Sequence, residues 1–212
     1  MNDPVSKTRD TYDAIGAEFL ENTRDRSELS GWLDRFASSL LAGMLVLDLG
    51  AGPGFDSVEL RRRGFKAISV DLSLGMLRAG VREFPGPRVQ SDLRCLPFPS
   101  FSVCGVWANA SLLHLSKAEA SLALREIRRV LRPSGVLYMS VKRGSGAEWE
   151  SERYGKPRWF QYWSDPELDA ALQAAGFRVN AAWVNETTRD TWLIRLASVE
   201  RPALGQRPRA VE

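Results

Sequence analysis

Apolar runs alternate with amphipathic segments along most of the chain. The apolar and β-branched runs predict strands at residues 44–49, 66–70, 88–91, 103–108, 136–141, 177–185 and 191–199. Helical patterns lie between them, at residues 57–64, 73–83, 117–131 and 164–176, the last opening on the capping-box sequence Ser-Asp-Pro-Glu. Strands that alternate with helices predict an α/β fold, in which a mostly parallel sheet carries helices on both faces.

The last two predicted strands are separated only by residues 186–190. A crossover helix does not fit in that interval, so these strands are expected to form an antiparallel hairpin. The pattern therefore predicts six parallel strands and one antiparallel strand at the sheet edge. Residues 201–212, which contain two prolines and three arginines, are expected to form a flexible tail.

Length and composition limit the alternatives. The chain of 212 residues is too short for two domains of ordinary size, so one domain over residues 1–200 is expected. Two cysteines and a single histidine exclude a disulfide scaffold and a histidine-rich metal site, and they favour a reduced, cytoplasmic setting. The first ten residues lack the apolar core of a secretory signal, and prolines interrupt the uncharged stretch 95–116, so no membrane segment is expected.

A glycine-rich segment, Asp-Leu-Gly-Ala-Gly-Pro-Gly at residues 48–54, follows the first predicted strand and precedes a helix. Glycines at this place let the backbone turn tightly and approach a ligand closely. The dinucleotide pattern G-x-G-x-x-G is not met because the third glycine comes one residue early, which disfavours NAD. The negative charge of Asp48 suits a cationic ligand group better than a pyrophosphate. A glycine turn that binds nothing is the alternative interpretation.

Aspartates end the second and third predicted strands. Asp71 stands where ribose hydroxyls are bound in sheets of this type, and Asp92 could accept a hydrogen bond from an adenine amino group. A solvated turn or a helix cap is the alternative for each aspartate.

Five segments in order, VLDLGAGPG, SVDLS, SDLRCLPF, VWANASLLHL and ALREIRRVLRPSGVLYMSVK, resemble the class I S-adenosylmethionine-dependent methyltransferases. The resemblance is closest to the type 11 small-molecule group and covers residues 12 to about 199. It implies a Rossmann-like seven-stranded sheet whose last strand is antiparallel, with S-adenosyl-L-methionine as the cofactor. The chain departs from the family pattern at Cys104, where an aspartate is usual, and at Ser134, where a glycine is usual.

The resemblance also implies a set of cofactor-binding residues. The family's opening helix, matched by residues 10–19, folds over the cofactor as a lid, and the other residues come from the matched strand ends. The implied cofactor-binding residues are Tyr12, Asp48, Gly50, Ala51, Gly52, Asp71, Leu72, Met76, Asp92, Leu93, Asn109 and Ala110.

Two residues are candidates for a catalytic role. Because a sulfonium is already an activated leaving group, methyl transfer needs positioning and no metal or covalent residue. His114 follows the fourth strand and could act as a general base, or it could pack against the loop and orient a neighbour. Tyr154 is the second catalytic candidate.

Residues 143–166 are rich in both aromatic residues and glycine. Long loops in compact domains are usually functional, so this segment is expected to be a loop that covers the active site and forms an aromatic substrate pocket. Aromatic walls suit a planar ring or a cationic amine, whereas rings that only seal the end of the sheet are the alternative. The predicted substrate-binding residues are Phe19, Trp149, Arg158, Phe160 and Tyr162.

These observations predict methyl transfer to an N, O or C atom of a small aromatic or amine-bearing molecule, by a monomer or homodimer. The alternatives are methylation of a modified tRNA base and a non-catalytic methyltransferase-like binding subunit. Binding to nucleic acid is disfavoured, since the arginines at 61–63 and 128–129 lie on predicted helices away from the strand ends and are expected to be solvated.

Overall fold

The computed structural model describes residues 3–200, and all structural statements concern these residues. Their strands are β1 (Leu45–Leu49), β2 (Lys66–Asp71), β3 (Arg88–Gln90), β4 (Val103–Asn109), β5 (Leu131–Lys142), β6 (Ala147–Glu150), β7 (Arg158–Gln161), β8 (Phe177–Glu186) and β9 (Thr191–Val199). Seven of these described strands form one sheet in the order β3-β2-β1-β4-β5-β9-β8, and β6 and β7 form a separate pair.

The directions of the sheet strands confirm the predicted fold class. Strands β1 to β5 are parallel to one another, and β9 is antiparallel to both β5 and β8. The predicted edge position of the antiparallel strand is wrong, because β8 forms the edge. The chain forms β8 one strand position away from β5. The tight turn after Glu186 then reverses the chain, and β9 occupies the position between β5 and β8.

Helices cover both faces of the sheet, as predicted. They are α1 (Pro4–Asn22), α2 (Ser30–Ala37), α3 (Phe55–Arg62), α4 (Leu74–Ala79), α5 (Lys117–Val130) and α6 (Asp165–Ala174), with short 3-10 turns at Ser27–Leu29 and Leu112–His114. Residues of α5 and α6 pack with the sheet in one hydrophobic cluster, and residues of α2 and α3 pack in a second cluster with Trp107 and Tyr138. The predicted capping box at Ser164 and Glu167 is confirmed.

Two predicted boundaries differ from the structure by more than two residues. Helix α4 stops at Ala79 rather than Glu83, because Gly80 lies directly against the Pro53 carbonyl and the chain turns there. Strand β5 begins at Leu131 rather than Val136, because Leu131 already pairs with Val103 of β4. The register then shifts over a stretch that contains Ser134 at φ +64°, and the pairing resumes at Val136.

The aromatic segment 143–166 is not the loop that its glycine content predicted. Strands β6 and β7 form an antiparallel hairpin in which Trp149 pairs with Trp159. Aromatic residues favour strands, and Gly155, at φ +62°, lies in the connection between the two strands. The segment therefore presents side chains from a hairpin, whose two faces point in opposite directions.

None of the helices in residues 3–200 is long and apolar enough to cross a membrane. The expected flexible tail at 201–212 lies outside the described residues.

Candidate active site

The glycine loop connects the end of β1 to the start of α3. Gly50, Gly52 and Gly54 all have positive φ angles, of 71°, 55° and 103°. A side-chain carbon at Gly50 would lie 2.3 Å from the Cβ atom of Ser111, so the loop also needs a glycine there for space. These glycines bring main-chain N–H groups to the carboxyl ends of the strands, where α/β sheets bind ligands.

Asp71 ends β2 and is bonded directly to the glycine loop. Its Oδ2 accepts a hydrogen bond from the Gly52 N–H at 2.8 Å, and its Oδ1 accepts one from the Ser73 N–H at 2.8 Å. Burial raises the pKa of Asp71 to about 6, so the carboxylate is charged at neutral pH. Each carboxylate oxygen keeps a lone pair that can accept a hydrogen bond from a ligand hydroxyl.

A cavity of about 870 Å³ opens above these strand ends. It brings together eleven of the twelve predicted cofactor-binding residues, namely Tyr12, Gly50, Ala51, Gly52, Asp71, Leu72, Met76, Asp92, Leu93, Asn109 and Ala110. The residues that line its other half include Phe19, His114, Arg158, Phe160 and Tyr162.

Asp48 does not line this cavity. It is buried beneath the glycine loop, where Ser57 Oγ donates a hydrogen bond of 2.6 Å to its Oδ2. Burial and the nearby charge of Asp56 raise the pKa of Asp48 well above its usual range. Asp48 therefore does not contact a ligand in the cavity directly, although the sequence predicted such a contact. It is bonded instead to the first turn of α3 through Ser57.

Asp92 lines the cavity, but its carboxylate already has a partner. The Arg94 guanidinium donates to both Asp92 oxygens, and it also pairs with Glu119. Burial alone would raise the pKa of Asp92, but the Arg94 hydrogen bonds hold it below its usual range. A ligand amino group at Asp92 would share this carboxylate with Arg94.

Helix α1 closes one side of the cavity and is anchored to α4. Asp13 Oδ1 accepts hydrogen bonds from Ser73 Oγ and from the Gly75 N–H, each at 2.7 Å. Glycines allow the two helices to approach closely, because a side-chain carbon at Gly75 would lie 2.4 Å from the Asp13 carbonyl oxygen and one at Gly16 would lie 2.8 Å from the Gly75 oxygen. This packing holds the inner face of α1 against the cavity.

Helix α1 is also bonded to the aromatic hairpin. Thr11 Oγ1 donates to the Pro157 carbonyl at 2.7 Å, and Thr8 Oγ1 accepts from the Trp159 N–H at 3.0 Å. The lid helix and the hairpin are therefore joined at two points.

His114 lies between α1 and the hairpin with both ring nitrogens engaged. Its Nδ1 lies 2.6 Å from the Trp159 carbonyl oxygen, which can only accept, so Nδ1 carries the proton. Nε2 then accepts from the Tyr12 hydroxyl at 2.9 Å. Burial lowers the pKa of His114 to about 4, so the ring is neutral at physiological pH.

Two further predicted site residues, besides Asp48, lie outside the cavity lining. Tyr154 is buried against Ile15, Met76 and Phe19, and its hydroxyl has no hydrogen-bond partner among residues 3–200. Trp149 is 39% exposed and lies on the outer side of the hairpin, with Lys7 Nζ 4.7 Å from its ring centroid. The alternation of side chains along β6 explains the position of Trp149, since Glu148 and Glu150 line the cavity.

Sequence reasoning missed several cavity residues on β5 and after β4. Ser140 Oγ accepts from the Ala110 N–H and donates to Asn109 Oδ1 at 2.6 Å, which fixes the Asn109 amide and leaves its NH₂ group for another acceptor. Ser111 Oγ and the Tyr138 hydroxyl are buried, line the cavity and have no partner among the described residues. Alternation along β5 could have placed Tyr138, Ser140 and Lys142 on one face, but it does not show that a cavity lies there.

Within residues 3–200 no group of three or more His, Cys, Asp or Glu side chains is arranged to hold a metal ion.

Comparison with known proteins finds similar chains and a matching domain. Residues 47–139 match the family model described as a methyltransferase domain. The chain is 38% identical over 103 residues to the demethylmenaquinone methyltransferase of Mycobacterium tuberculosis, covering 49% of this chain and 43% of the relative. It is 31% identical to the biotin biosynthesis bifunctional protein BioHC of Cellvibrio japonicus, over 94% of this chain and 39% of the relative. The chain thus spans less than half the length of either relative.

Solved structures share the fold at low sequence identity. The Burkholderia thailandensis 1,6-didemethyltoxoflavin-N1-methyltransferase superposes with a TM-score of 0.77 at 20% identity, covering 95% of this chain and 92% of that one. The magnesium protoporphyrin IX methyltransferase of Synechocystis superposes with a TM-score of 0.64 at 19% identity, over 94% and 86%. These structures share the fold of this chain, and residues 47–139 of the chain match the methyltransferase domain.

Proposed function

We propose that this protein transfers the methyl group of S-adenosylmethionine to a small-molecule acceptor. The observation that carries the proposal is the link between Asp71 and the Gly52 N–H, which places a hydroxyl-binding carboxylate and a glycine loop on the wall of one cavity. The named relatives support a small acceptor, because demethylmenaquinone, 1,6-didemethyltoxoflavin and magnesium protoporphyrin IX are all small ring compounds.

The residues present fit this cofactor. Asp71 has lone pairs for ribose hydroxyls, and the apolar side chains of Leu72 and Met76 offer surfaces for the adenine ring. Ser111 Oγ, buried against Gly50 without a partner, is a polar atom that the cofactor's methionine portion would satisfy. When bound, the cofactor supplies an activated methyl group on a sulfonium.

The chain's own residues position the acceptor and exclude water. The Asn109 amide, fixed by Ser140, offers N–H donors to an acceptor oxygen at the ends of β4 and β5. Phe160 and Tyr162 provide aromatic walls for a planar ring. Helix α1 and the hairpin cover this half of the cavity, which limits the access of water to the reacting atoms.

His114 acts in this proposal by positioning Tyr12. A neutral imidazole with a pKa near 4 and both nitrogens engaged is poorly suited to remove a proton from the acceptor. Acceptor orientation by Asn109 and the aromatic walls replaces the predicted general base. Tyr154, which lies outside the cavity lining, has a packing role rather than a catalytic one.

The domain extent, the cellular location and the oligomeric state are proposed here on the basis of the sequence. We propose one catalytic domain over residues 1–200, with α1 as its lid and residues 143–166 as its substrate-binding segment. A cytoplasmic location and a monomeric or homodimeric state are part of the same proposal.

Cofactor binding is the first test. S-adenosylhomocysteine is expected to raise the melting temperature of the protein, because a ligand that binds only the folded state stabilises it. The Asp71→Ala variant should lose this response, whereas Asp34→Ala, which lies outside the cavity lining, should keep it. NAD at the same concentration is the control compound. A response to NAD but not to S-adenosylhomocysteine would contradict the proposal.

A further inference from the structure

Arg158 is a buried cation in the cavity wall. It begins β7, is only 5% exposed, and pairs across the hairpin with Glu150. Its Nη2 donates to the Glu150 carboxylate, but its Nε has no hydrogen-bond partner among the described residues. Buried N–H groups nearly always have a partner, so this donor marks a place where a ligand atom belongs.

Aromatic rings surround the guanidinium and leave its Nε without a hydrogen-bond acceptor. The Arg158 Cζ atom lies 4.8 Å from the Tyr154 ring centroid, 5.2 Å from that of Phe160 and 5.8 Å from that of Tyr12. Ring faces attract a cation, but they offer no oxygen to accept a directed hydrogen bond. The charge is thus fixed in position with part of its donor capacity unused.

A second cation contacts the same ring. Lys142 Nζ lies 4.3 Å from the Phe160 centroid and forms an ion pair of 2.9 Å with Asp190. Both cations line the cavity, where Lys142 ends β5 and Arg158 begins β7. Each has one acidic partner, so an incoming anion would meet donors that are already desolvated.

We propose that Arg158, with Lys142 beside it, forms a subsite for a carboxylate. A planar carboxylate matches the flat guanidinium, which presents parallel N–H donors. The inference rests on the proposed function and adds to it the class of acceptor, a compound with a carboxylate beside an apolar or aromatic part that packs on Phe160. The methionine portion of the cofactor is the other source of a carboxylate, and the position of Arg158 beside Phe160 and Lys142 favours the acceptor.

Benzoate and benzamide are suitable probes because they share a ring and differ in charge. Melting temperatures are measured with S-adenosylhomocysteine at saturation and either probe added. Benzoate is expected to stabilise the wild-type protein more than benzamide does, and Arg158→Gln is expected to weaken benzoate binding about tenfold or more. Arg178→Gln is the matched control, since Arg178 is exposed at the start of β8, outside the cavity lining, and its loss should leave the benzoate response unchanged.

A second measurement identifies the source of the carboxylate. Titration calorimetry compares S-adenosylhomocysteine with methylthioadenosine, which lacks the carboxylate. If Arg158→Gln weakens only the benzoate response, the subsite belongs to the acceptor, as expected. If it instead weakens S-adenosylhomocysteine tenfold and leaves methylthioadenosine unchanged, the carboxylate is that of the cofactor.

The subsite is overturned if Arg158→Gln changes neither measurement, in which case Arg158 only packs the rings around it. The charge-balanced double variant Arg158→Gln/Glu150→Gln repeats both measurements, so that loss of folding caused by an unpaired Glu150 does not decide the result. If the wild-type protein fails to bind S-adenosylhomocysteine, the proposed function fails. The comparison of benzoate with benzamide without cofactor then still reports on Arg158.

Discussion

The hydroxyl oxygen of Tyr12 lies 2.9 Å from Nε2 of His114, although 102 positions separate the two residues in sequence. The other His114 nitrogen is tied to the Trp159 carbonyl, so the ring orients the Tyr12 hydroxyl in one direction. Tyr12 is half-buried, and its desolvation raises its pKa and keeps the phenol neutral. The pair thus joins the lid helix, the segment after β4 and the hairpin through neutral hydrogen bonds.

Removing either member of this pair should have the same effect. Tyr12→Phe and His114→Ala are each expected to weaken S-adenosylhomocysteine binding by about three- to tenfold, the usual value of one hydrogen bond. The double variant should be no weaker than the weaker single variant, because both substitutions remove one interaction. Titration calorimetry on the three variants measures this, and additive losses would show that the residues act independently.

Cofactor affinity should depend on pH through Asp71. Because its pKa is raised to about 6, the carboxylate loses its charge as the pH falls through that value, and a carboxyl group accepts hydroxyl donors less well. The affinity for S-adenosylhomocysteine is expected to be constant above pH 7 and to fall between pH 7 and pH 5. Asp71→Asn should bind weakly at every pH. Asp92 stays ionised over this range, so a pH dependence that survives in Asp71→Asn would contradict the assignment.

Gly50 should be the least replaceable residue of the loop. Gly50→Ala places a methyl group against Ser111, whereas at Gly52 the nearest atom to an added carbon is 3.9 Å away, in Phe19. Both substitutions carry the cost of a positive φ, of about 1 kcal/mol. Gly50→Ala is therefore expected to lower the melting temperature more than Gly52→Ala. Ser111→Gly should restore part of the loss in the Gly50→Ala background, and no recovery would refute the steric explanation.

The contact between α1 and α4 should be sensitive to one methyl group. Gly75→Ala would push α1 away at Asp13 and is expected to lower both stability and cofactor affinity. Gly31 in α2 has nothing within 4 Å of an added carbon, so Gly31→Ala should stabilise the protein by about 0.5–1 kcal/mol. Chemical unfolding and calorimetry on the two variants provide the comparison. Equal effects would mean that the glycines do not mediate the helix contact.

Asp48 should make the folded state less stable as the pH rises. Its pKa in the folded protein lies far above that of an unfolded chain, so the folded state binds the extra proton at low pH and loses that advantage as the pH increases. Asp48→Asn, which removes this titration, is expected to differ least from the wild-type protein near pH 5 and to melt increasingly higher than it as the pH rises to 8.5. Melting curves at both pH values test the sign, and a lower melting temperature at pH 8.5 would reverse it.

The fold could be predicted from sequence because its signals are local. Buried strands, the glycine loop and the capping box at Ser164 each depend on residues close together in the chain. The hairpin of β6 and β7 was missed because Gly144, Gly146 and Gly155 gave a loop signal while the pairing partners lay eight or more positions apart. The place of β9 inside the sheet was missed since hairpin spacing gives direction but not strand order.

In the candidate site, too, local patterns predicted some positions, whereas contacts between distant segments could not be predicted. Residues at strand ends, such as Asp71 and Asn109, were found because a parallel sheet brings those ends together. The same rule predicted a place on the cavity wall for Asp48. Asp48 comes before the last residue of β1, and it accepts a hydrogen bond from Ser57 instead. The partners of His114 come from α1 and from the hairpin, and no local pattern connects those segments.

The two bonds from Thr8 and Thr11 to the hairpin also set a rule for redesign. Trp159 and Pro157, the residues they contact, lie in the segment that is proposed to bind the acceptor. A hairpin transplanted from another member of the family would lose these anchors unless its backbone met the same two threonines. New acceptor preference should therefore be engineered by exchanging α1 and the hairpin as a matched pair, because these two distant stretches of sequence form one exchangeable module.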